Sequence, residues 1–216
     1  YIIPKPMDAR LIEYVAPAVA KAAMDSGVAR KPITNWDAYK DELRRRMGLG
    51  DPIKRYIRGK AKADPKRVVF AEAENYKILK AAELVKDEGM AIPILLGNKE
   101  TIIDLIRQYE LELENVEIID PKSSEEAKRR SEFAELLYDK RKRRGVTMNS
   151  ANDLMMHRNY FGPMMVETGY ADAVISGLTR NYTDTIKPAL QIIGKREDTR
   201  VISGMYMILT KKGPFF

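Results

Sequence analysis

Short apolar runs alternate with helical segments from Arg67 onward. The apolar runs that indicate strands are RVVFAEA (67–73), AIPILL (91–96), VEIID (116–120), ADAVIS (171–176) and RVISGMYMILT (200–210). At least one segment with apolar residues at helical spacing separates each strand from the next. Strand–helix–strand units of this kind join parallel strands by right-handed crossovers. The alternation therefore predicts an α/β fold with a largely parallel sheet.

Helices are predicted between these strands at 75–88, 101–109, 123–144, 150–168 and 183–193. Gly89 is placed to end the first of them. Ser123 or Ser124 begins the third, whose acidic first turn and basic last turn suit the helix dipole. The fourth is predicted to be interrupted near Gly162 and Pro163.

Three further helices are predicted before Arg67. The first runs from Asp8 to Ser26 and ends at Gly27, and the second starts at Thr34 or Asn35 and ends at Gly48. Asp51 as N-cap and Pro52 at the first helical position begin the third, which is strongly basic. We interpret the third helix as a linker or docking helix, and a solvated connector fits its sequence equally well.

The net charge of +7 is concentrated in one stretch. Between Arg44 and Arg67, ten Lys or Arg residues stand with two Asp, which leaves about one net negative charge on the rest of the chain. Few aromatic side chains, which stack on bases in nucleic-acid sites, lie among these cations. We therefore expect no nucleic-acid partner.

The sequence also lacks the signals of membrane and secreted proteins. No apolar run approaches the roughly 20 residues that span a bilayer, and the first ten residues lack the pattern of a signal peptide. The absence of cysteine fits a reducing compartment. We expect no membrane partner and a cytoplasmic location. The chain begins without Met and ends just after a predicted strand, so we expect it to be a fragment.

Most catalytic motifs are absent from the sequence. It contains no Gly-x-Gly-x-x-Gly, no Walker loop and no His-x-x-His. His157 is the only histidine, so it cannot assemble a His-rich metal site, and a Ser–His–Asp triad is not expected. We expect His157 to be structural or exposed to solvent, and we expect no metal site.

The best candidate site is SGLTRNYTDTIKPALQIIG (176–194), where the predicted strand 171–176 runs into a helix. Ser176 and Gly177 permit close backbone approach, and Thr179, Thr183 and Thr185 supply hydroxyls. Ligands of parallel sheets bind beyond the carboxyl ends of the strands, and N–H groups at a helix start favour an anion. The pattern indicates a phosphate or acyl-phosphate site, although Ser and Thr are also ordinary helix caps.

Two other strand ends carry polar residues. We interpret Glu72 and Glu74 as charges that complement the start of the helix after them, with a catalytic role as the alternative. Gly97 and Asn98 are most simply a turn.

The segment YFGPMMVETGYADAVISGLTRNYTDTIKPALQIIG (160–194) resembles phosphotransacetylases, the phosphate acetyl and butyryl transferases. VVFAEAENYKILKAAELVKDEGMAIPILLGN (68–98) is similar to the opening strand, helix and strand of the same family. The resemblance runs from Lys66 to Thr210. It implies a three-layer αβα architecture around a mainly parallel sheet.

The resemblance, added to the loop hydroxyls, implies a site for coenzyme A or phosphate. Its candidate residues are Arg141, Ser176, Gly177, Arg180, Thr183, Thr185 and Lys187. An arginine usually stands at the position of Lys187, and lysine keeps the charge but loses the planar fork that binds phosphate. Tyr182 places bulk where the family has a small hydroxyl. The family's catalytic groups lie beyond Phe216, so we expect no catalytic residue in this chain.

YIIPKPMDARLIEYVAPAVAKAAMDSGVARKPI (1–33) resembles the end of the NAD(P)-binding domain of bacterial malic enzymes. One long class of these enzymes continues through a basic linker into a phosphotransacetylase-like domain. The two resemblances together imply three segments: the last helices of the malic enzyme domain (1–45), a basic linker or docking helix (46–65), and the N-terminal part of a phosphotransacetylase-like domain (66–216).

The combined resemblance implies a parent enzyme that converts malate to pyruvate and CO₂ with NADP or NAD and Mg²⁺ or Mn²⁺, bound outside this chain. The transferase-like part is expected to sense acetyl-CoA as an allosteric effector and to form a homo-oligomer. Two alternatives stay open: a working phosphate acetyltransferase in a bifunctional protein, and an assembly domain without catalysis. We expect the isolated chain to be inactive and to self-associate through exposed apolar surface.

Overall fold

The computed structural model describes residues 10–46, 52–210 and 213–215. These residues fall into two compact units, one made of the described parts of 1–60 and 205–216 and the other of residues 61–204. The predicted helix start at Asp8, the predicted helix end at Gly48 and the predicted N-cap Asp51 lie outside the described residues.

The described helices are α1 (Arg10–Asp25), α2 (Trp36–Arg46), α3 (Pro52–Ala63), α4 (Tyr76–Asp87), α5 (Lys99–Gln108), α6 (Ala127–Arg141), α7 (Met148–Met155), α8 (Arg158–Glu167) and α9 (Tyr182–Ile192). A 3₁₀ turn, Lys142–Arg144, follows α6. The described strands are β1 (Lys66–Phe70), β2 (Ala91–Leu96), β3 (Glu117–Ile119), β4 (Ala173–Ile175), β5 (Ile208–Thr210) and β6 (Gly213–Phe215).

Local end signals explain several helix boundaries. Asn35 Oδ1 accepts the N–H of Ala38 at 2.9 Å at the start of α2. Asn75 caps α4 in the same way, through a 2.9 Å hydrogen bond from the N–H of Lys77. Gly27 and Gly89 follow α1 and α4 with φ of +73° and +64°, the left-handed conformation that ends helices. The predicted stops at both glycines are confirmed.

Four parallel strands form the sheet of the second unit in the order β3-β2-β1-β4. β1 pairs with β2 from Lys66↔Ala91 to Phe70↔Leu95, and with β4 from Val68↔Ala173 to Phe70↔Ile175. β3 lies parallel on the other side of β2. The prediction of a mainly parallel sheet is confirmed, and the carboxyl ends of all four strands meet at one edge.

Side chains that alternate along the strands enter two separate cores, because successive residues of a strand point to opposite faces. On one face, Val69 and Leu96 pack with buried residues of α6, α7 and α8, such as Phe161. On the other face, Phe70 and Leu95 pack against α4 and α5. Helices therefore cover both faces of the sheet, as the expected three-layer αβα architecture requires.

The predicted strand 200–210 is wrong over most of its length. Only Ile208–Thr210 is a strand, and it pairs antiparallel with β6 rather than joining the parallel sheet. Residues 201–207 have no regular structure, and side chains such as Val201 and Tyr206 are 74% and 88% exposed. An apolar run predicts that a segment can form a strand, but a strand also needs a neighbour for its N–H and C=O groups.

Two predicted helices have different bounds in the structure. α6 begins at Ala127 because the residues before it form turns, in which Asp120 accepts the N–H groups of Lys122 and Ser123. The predicted helix 150–168 is broken at His157, which is extended with φ −97° and ψ 122°, and not near Gly162 and Pro163. Gly162 is buried within α8, where a Cβ would lie 3.1 Å from Cγ2 of Val174, so its small size lets α8 pack closely on the sheet.

Candidate functional site

The loop between β4 and α9 (residues 176–181, the β4–α9 loop) lies at the carboxyl edge of the sheet. The residues that follow β1 leave the sheet beside it, because β1 and β4 are neighbours. A 3.0 Å hydrogen bond from the N–H of Ala71 to the carbonyl oxygen of Ile175 holds the two segments together. This arrangement brings Glu72 to the β4–α9 loop.

The carboxylate of Glu72 accepts five hydrogen bonds from the β4–α9 loop. Its Oε1 accepts from Ser176 Oγ at 2.9 Å, from the N–H of Leu178 at 3.1 Å and from the N–H of Gly177. Its Oε2 accepts from both the N–H and the hydroxyl of Thr179. Glu72 is only 1% exposed. Successive N–H groups of this kind form an anion site, and here the anion belongs to the chain itself.

The environment of Glu72 keeps its carboxylate ionised. Burial alone would raise its pKa, but hydrogen bonds from Thr179, Gly177 and Ser176 outweigh burial and lower the pKa to about 2. A general base or acid works best with a pKa near the working pH. The geometry therefore favours a structural role for this carboxylate over proton transfer.

Glu74 joins two other segments at the same edge of the sheet. Its Oε1 accepts the N–H of Asn98 at 2.8 Å and its Oε2 accepts from Arg158 at 2.9 Å. Burial raises the pKa of Glu74, but the hydrogen bonds from Asn98 and Arg158 lower it overall. Asn98 in turn caps α5 by accepting the N–H of Thr101.

The interpretation of Glu72 and Glu74 as charges complementing the start of α4 is thus corrected. Asn75 caps α4, whereas Glu72 binds the loop after β4 and Glu74 binds Asn98 after β2 and Arg158 of α8. Both carboxylates come shortly after β1, so they lie near the loops that follow its two neighbouring strands, β4 and β2.

Gly97 lies against Glu74 with φ of +153°, and a Cβ there would lie 3.0 Å from Cγ of Glu74. We expect Gly97→Val to lower the free energy of unfolding of the chain by about 2–4 kcal/mol, since it adds both backbone strain and overpacking. Gly169→Val is the matched control, because Gly169 also has positive φ (+74°) but nothing within 4 Å of a Cβ. Urea unfolding of both variants checks this, and equal losses would mean that contact with Glu74 is unimportant.

The other predicted residues of the β4–α9 loop and α9 are placed differently from Ser176 and Gly177. Arg180, Thr183 and Lys187 are exposed to solvent. Thr185 uses its hydroxyl to donate to the carbonyl oxygen of Asn181 at 3.2 Å. The first turn of α9 is held from α8, where Asn159 donates to the carbonyl oxygen of Asp184 at 3.3 Å; Asn159 carried no signal in the sequence.

Arg141 lies at the end of α6, on the side of α8 and α9. Its Nε is buried and has no hydrogen-bond partner among the described residues. Burial raises the pKa of Tyr160, and the nearby charge of Arg141 partly offsets that effect. The hydroxyl of Tyr160 donates to Gln191 at 2.8 Å. Lys187 lies one helical turn before Gln191 on α9.

Within the part of the chain that the structure describes, no group of three or more His, Cys, Asp or Glu side chains is arranged to hold a metal ion. His157 is exposed and begins α8. No helix of the described ranges is both long and apolar enough to cross a membrane.

Comparison with known proteins gives similarities over two different lengths. Residues 52–216 match the sequence profile of the family described as phosphate acetyl/butaryl transferase. Over its whole length the chain is 36% identical to the NADP-dependent malic enzyme of Salmonella typhimurium, of which it covers 29%. It is 40% identical to the phosphate acetyltransferase of Helicobacter pylori over 156 residues. These residues make up 72% of this chain and cover 30% of the Helicobacter protein.

A solved structure agrees with the sequence comparisons. The phosphotransacetylase of Staphylococcus aureus superposes on this chain with a TM-score of 0.66 and 28% identity. The superposition covers 74% of this chain and 48% of the Staphylococcus aureus chain. The chain spans less than a third of the length of these two curated relatives.

Proposed function

The chain belongs to the phosphate acetyl/butaryl transferase family, and we propose that it is a regulatory part of a malic enzyme. Its similarity to malic enzymes extends over residues that the family profile does not match. The observation that carries the proposal is the match to an NADP-dependent malic enzyme along the entire chain. The transferase-like part senses acetyl-CoA and forms the contacts of a homo-oligomer.

The parent protein in this proposal oxidises malate and decarboxylates it to pyruvate and CO₂. NADP or NAD accepts the hydride, and Mg²⁺ or Mn²⁺ supplies Lewis-acid chemistry when bound. The residues that hold these groups belong to the parent outside this chain, so we assign no step of that reaction to the residues described here.

The proposed segments are the last helices of the malic enzyme domain (1–45), a basic linker or docking helix (46–65) and the transferase-like part (66–216). An apolar groove of about 620 Å³ along α1 supports the first assignment, since it is open to solvent and lined by residues such as Leu11, Val15 and Val19. Exposed apolar surface of this kind commonly marks a contact with another part of a protein. The family profile, which begins at residue 52, is compatible with a linker near that position.

The site residues support sensing over catalysis. We propose that coenzyme A or phosphate groups are bound by Arg141, Ser176, Gly177, Arg180, Thr183, Thr185 and Lys187. Lys187 offers a point charge in place of a planar fork, which weakens the bidentate grip on the phosphate that would accept the acetyl group in acyl transfer. Tyr182 stands at the start of α9 and is 74% exposed.

Malate kinetics of a protein of the relatives' full length that carries this chain test the proposal. We expect acetyl-CoA to change kcat/KM for malate by at least about 5-fold, the lower range of allosteric coupling. Coenzyme A without the acetyl group, at the same concentration, is the control for acyl recognition. Unchanged kinetics together with no acetyl-CoA binding in calorimetry would support the assembly domain and contradict sensing.

A working phosphate acetyltransferase is the second candidate function. It is favoured by the 40% identity to the Helicobacter pylori phosphate acetyltransferase, which exceeds the identity to the Salmonella malic enzyme. The same full-length protein separates the two candidates: appreciable phosphate-dependent cleavage of acetyl-CoA would contradict a purely regulatory role.

A further inference from the structure

Glu72 uses the backbone groups that a parallel α/β fold commonly offers to a ligand. The N–H groups of Gly177, Leu178 and Thr179 all donate to its carboxylate. Consecutive N–H groups of a loop form a concavity that commonly holds the oxygens of an anion such as phosphate. While Glu72 is in place, none of these three N–H groups is available to an external anion.

The hydrogen bonds to Glu72 match what a bound oxyanion would make. The two carboxylate oxygens receive three and two hydrogen bonds, from both backbone N–H groups and the hydroxyls of Ser176 and Thr179. No salt bridge to Glu72 is found among the described residues, so donors of the β4–α9 loop, not a cation, compensate its charge. A buried charge is tolerated only when it is compensated in this way.

We infer that Glu72 is a positioning residue whose carboxylate occupies the N–H groups of the β4–α9 loop in place of a ligand. The negative charge of any ligand is then bound by cationic side chains. Those cations are Arg141, Arg180 and Lys187, and none of them hydrogen-bonds to Glu72 in the described structure. The inference goes beyond the proposed function by narrowing the proposed site: Ser176 and Gly177 hold Glu72 and do not bind the anion of a ligand. It also holds for either candidate function.

Rescue of Glu72→Ala by small anions tests the inference without acetyl-CoA or malate. The variant removes the carboxylate and leaves a cavity lined by the same donors. Formate at about ten times its dissociation constant should raise the Tm of Glu72→Ala by roughly 3–6 °C. Sodium chloride at the same ionic strength serves as the control for salt. The wild-type chain should not respond to formate, because Glu72 already occupies these N–H groups.

Two further variants sharpen the test. Glu72→Gln fills the cavity with an amide of nearly the same shape, so formate should not rescue it. Glu74→Ala removes a neighbouring carboxylate whose partners include Arg158 instead of three loop N–H groups, so its response to formate should be smaller than that of Glu72→Ala. Equal responses of all variants to formate and chloride would overturn the inference.

If Glu72→Ala is unfolded in buffer, far-UV circular dichroism replaces the melting curve. Formate should then restore helical signal over a concentration range in which chloride does not. A variant that stays unfolded at every formate concentration would overturn the inference, since donors that need an anion should accept one. Failure of the rescue would leave the acetyl-CoA proposal standing, because that proposal rests on kinetics of the longer protein.

Discussion

Replacing Glu72 by glutamine is expected to lower the free energy of unfolding by about 3 kcal/mol at pH 7. Hydrogen bonds from Thr179, Gly177 and Ser176 outweigh burial and lower the pKa of Glu72 from 4.5 to about 2. Each tenfold change in an acid dissociation constant corresponds to about 1.4 kcal/mol. Glutamine keeps the shape but turns an amide N–H₂ towards N–H groups that need an acceptor. Urea unfolding of the wild type and the variant gives the difference.

The destabilisation by Glu72→Gln should depend on pH in a defined direction. A carboxylate whose pKa is lower in the folded chain stabilises it above the pKa of the unfolded chain. The difference between wild type and variant should thus be complete above about pH 5.5, shrink as pH falls through 4.5, and nearly vanish near pH 2. Asp172, whose hydrogen bonds with Arg67 lower its pKa to about 2 as well, titrates in both proteins and cancels.

Glu74→Gln is the matched control for this experiment. Glu74 also follows β1, but its side chain is 37% exposed and its partners are one N–H group and Arg158. We expect a smaller loss with a weaker pH dependence. A Glu72→Gln loss that stays constant from pH 7 to pH 3 would show that the charge of Glu72 does not stabilise the fold.

The sequence was sufficient to locate the candidate loop but not to show that the Glu72 carboxylate binds the N–H groups of that loop. Apolar runs of strand length, with helical periodicity between them, depend on local spacing, so β1 to β4 and the carboxyl edge could be predicted. Glu72 and Ser176 are 104 residues apart, and their contact exists because β4 lies beside β1 in the order β3-β2-β1-β4. That order is a property of the tertiary fold, and a single sequence does not encode it in any local pattern.

The errors in the fold prediction have a similar physical origin. Gly162 suggested a helix interruption because glycine is a poor helix former, yet the close approach of Val174 to α8 requires its small size. Residues 201–207 have strand-forming side chains, but a strand also requires a partner, which local periodicity does not reveal. In both cases a long-range contact, present or missing, determined the outcome.

Replacing Arg141 by alanine is expected to weaken acetyl-CoA binding about 10–100-fold in the full-length protein. A hydrogen bond to a charged group contributes roughly 1.5–3 kcal/mol, which converts to that range of affinity. Arg141 is partly buried, and its Nε has no hydrogen-bond partner among the described residues. A buried donor without an acceptor is uncommon, so an anionic ligand that accepts from it gains a bond without breaking one.

Arg143→Ala is the matched control for Arg141→Ala. Arg143 belongs to the same basic run but is exposed, so its removal changes the net charge equally while leaving the proposed contact in place. We expect it to weaken binding only slightly at physiological salt, where exposed charges are screened beyond about 8 Å. Calorimetric titration of acetyl-CoA into both variants shows whether Arg141 contacts the ligand directly or acts only through the net positive charge of the basic run.

The two variants also separate binding from folding. Since Arg141 Nε donates to no described residue, Arg141→Ala should change the Tm little, and a loss of affinity then reports on the ligand contact. Arg141→Lys should recover the charge but only part of the affinity, because an ammonium group cannot make the paired hydrogen bonds of a guanidinium group. Equal affinities for Arg141→Ala and Arg143→Ala would place the ligand away from the Tyr160–Gln191 pair and contradict the assignment of Arg141.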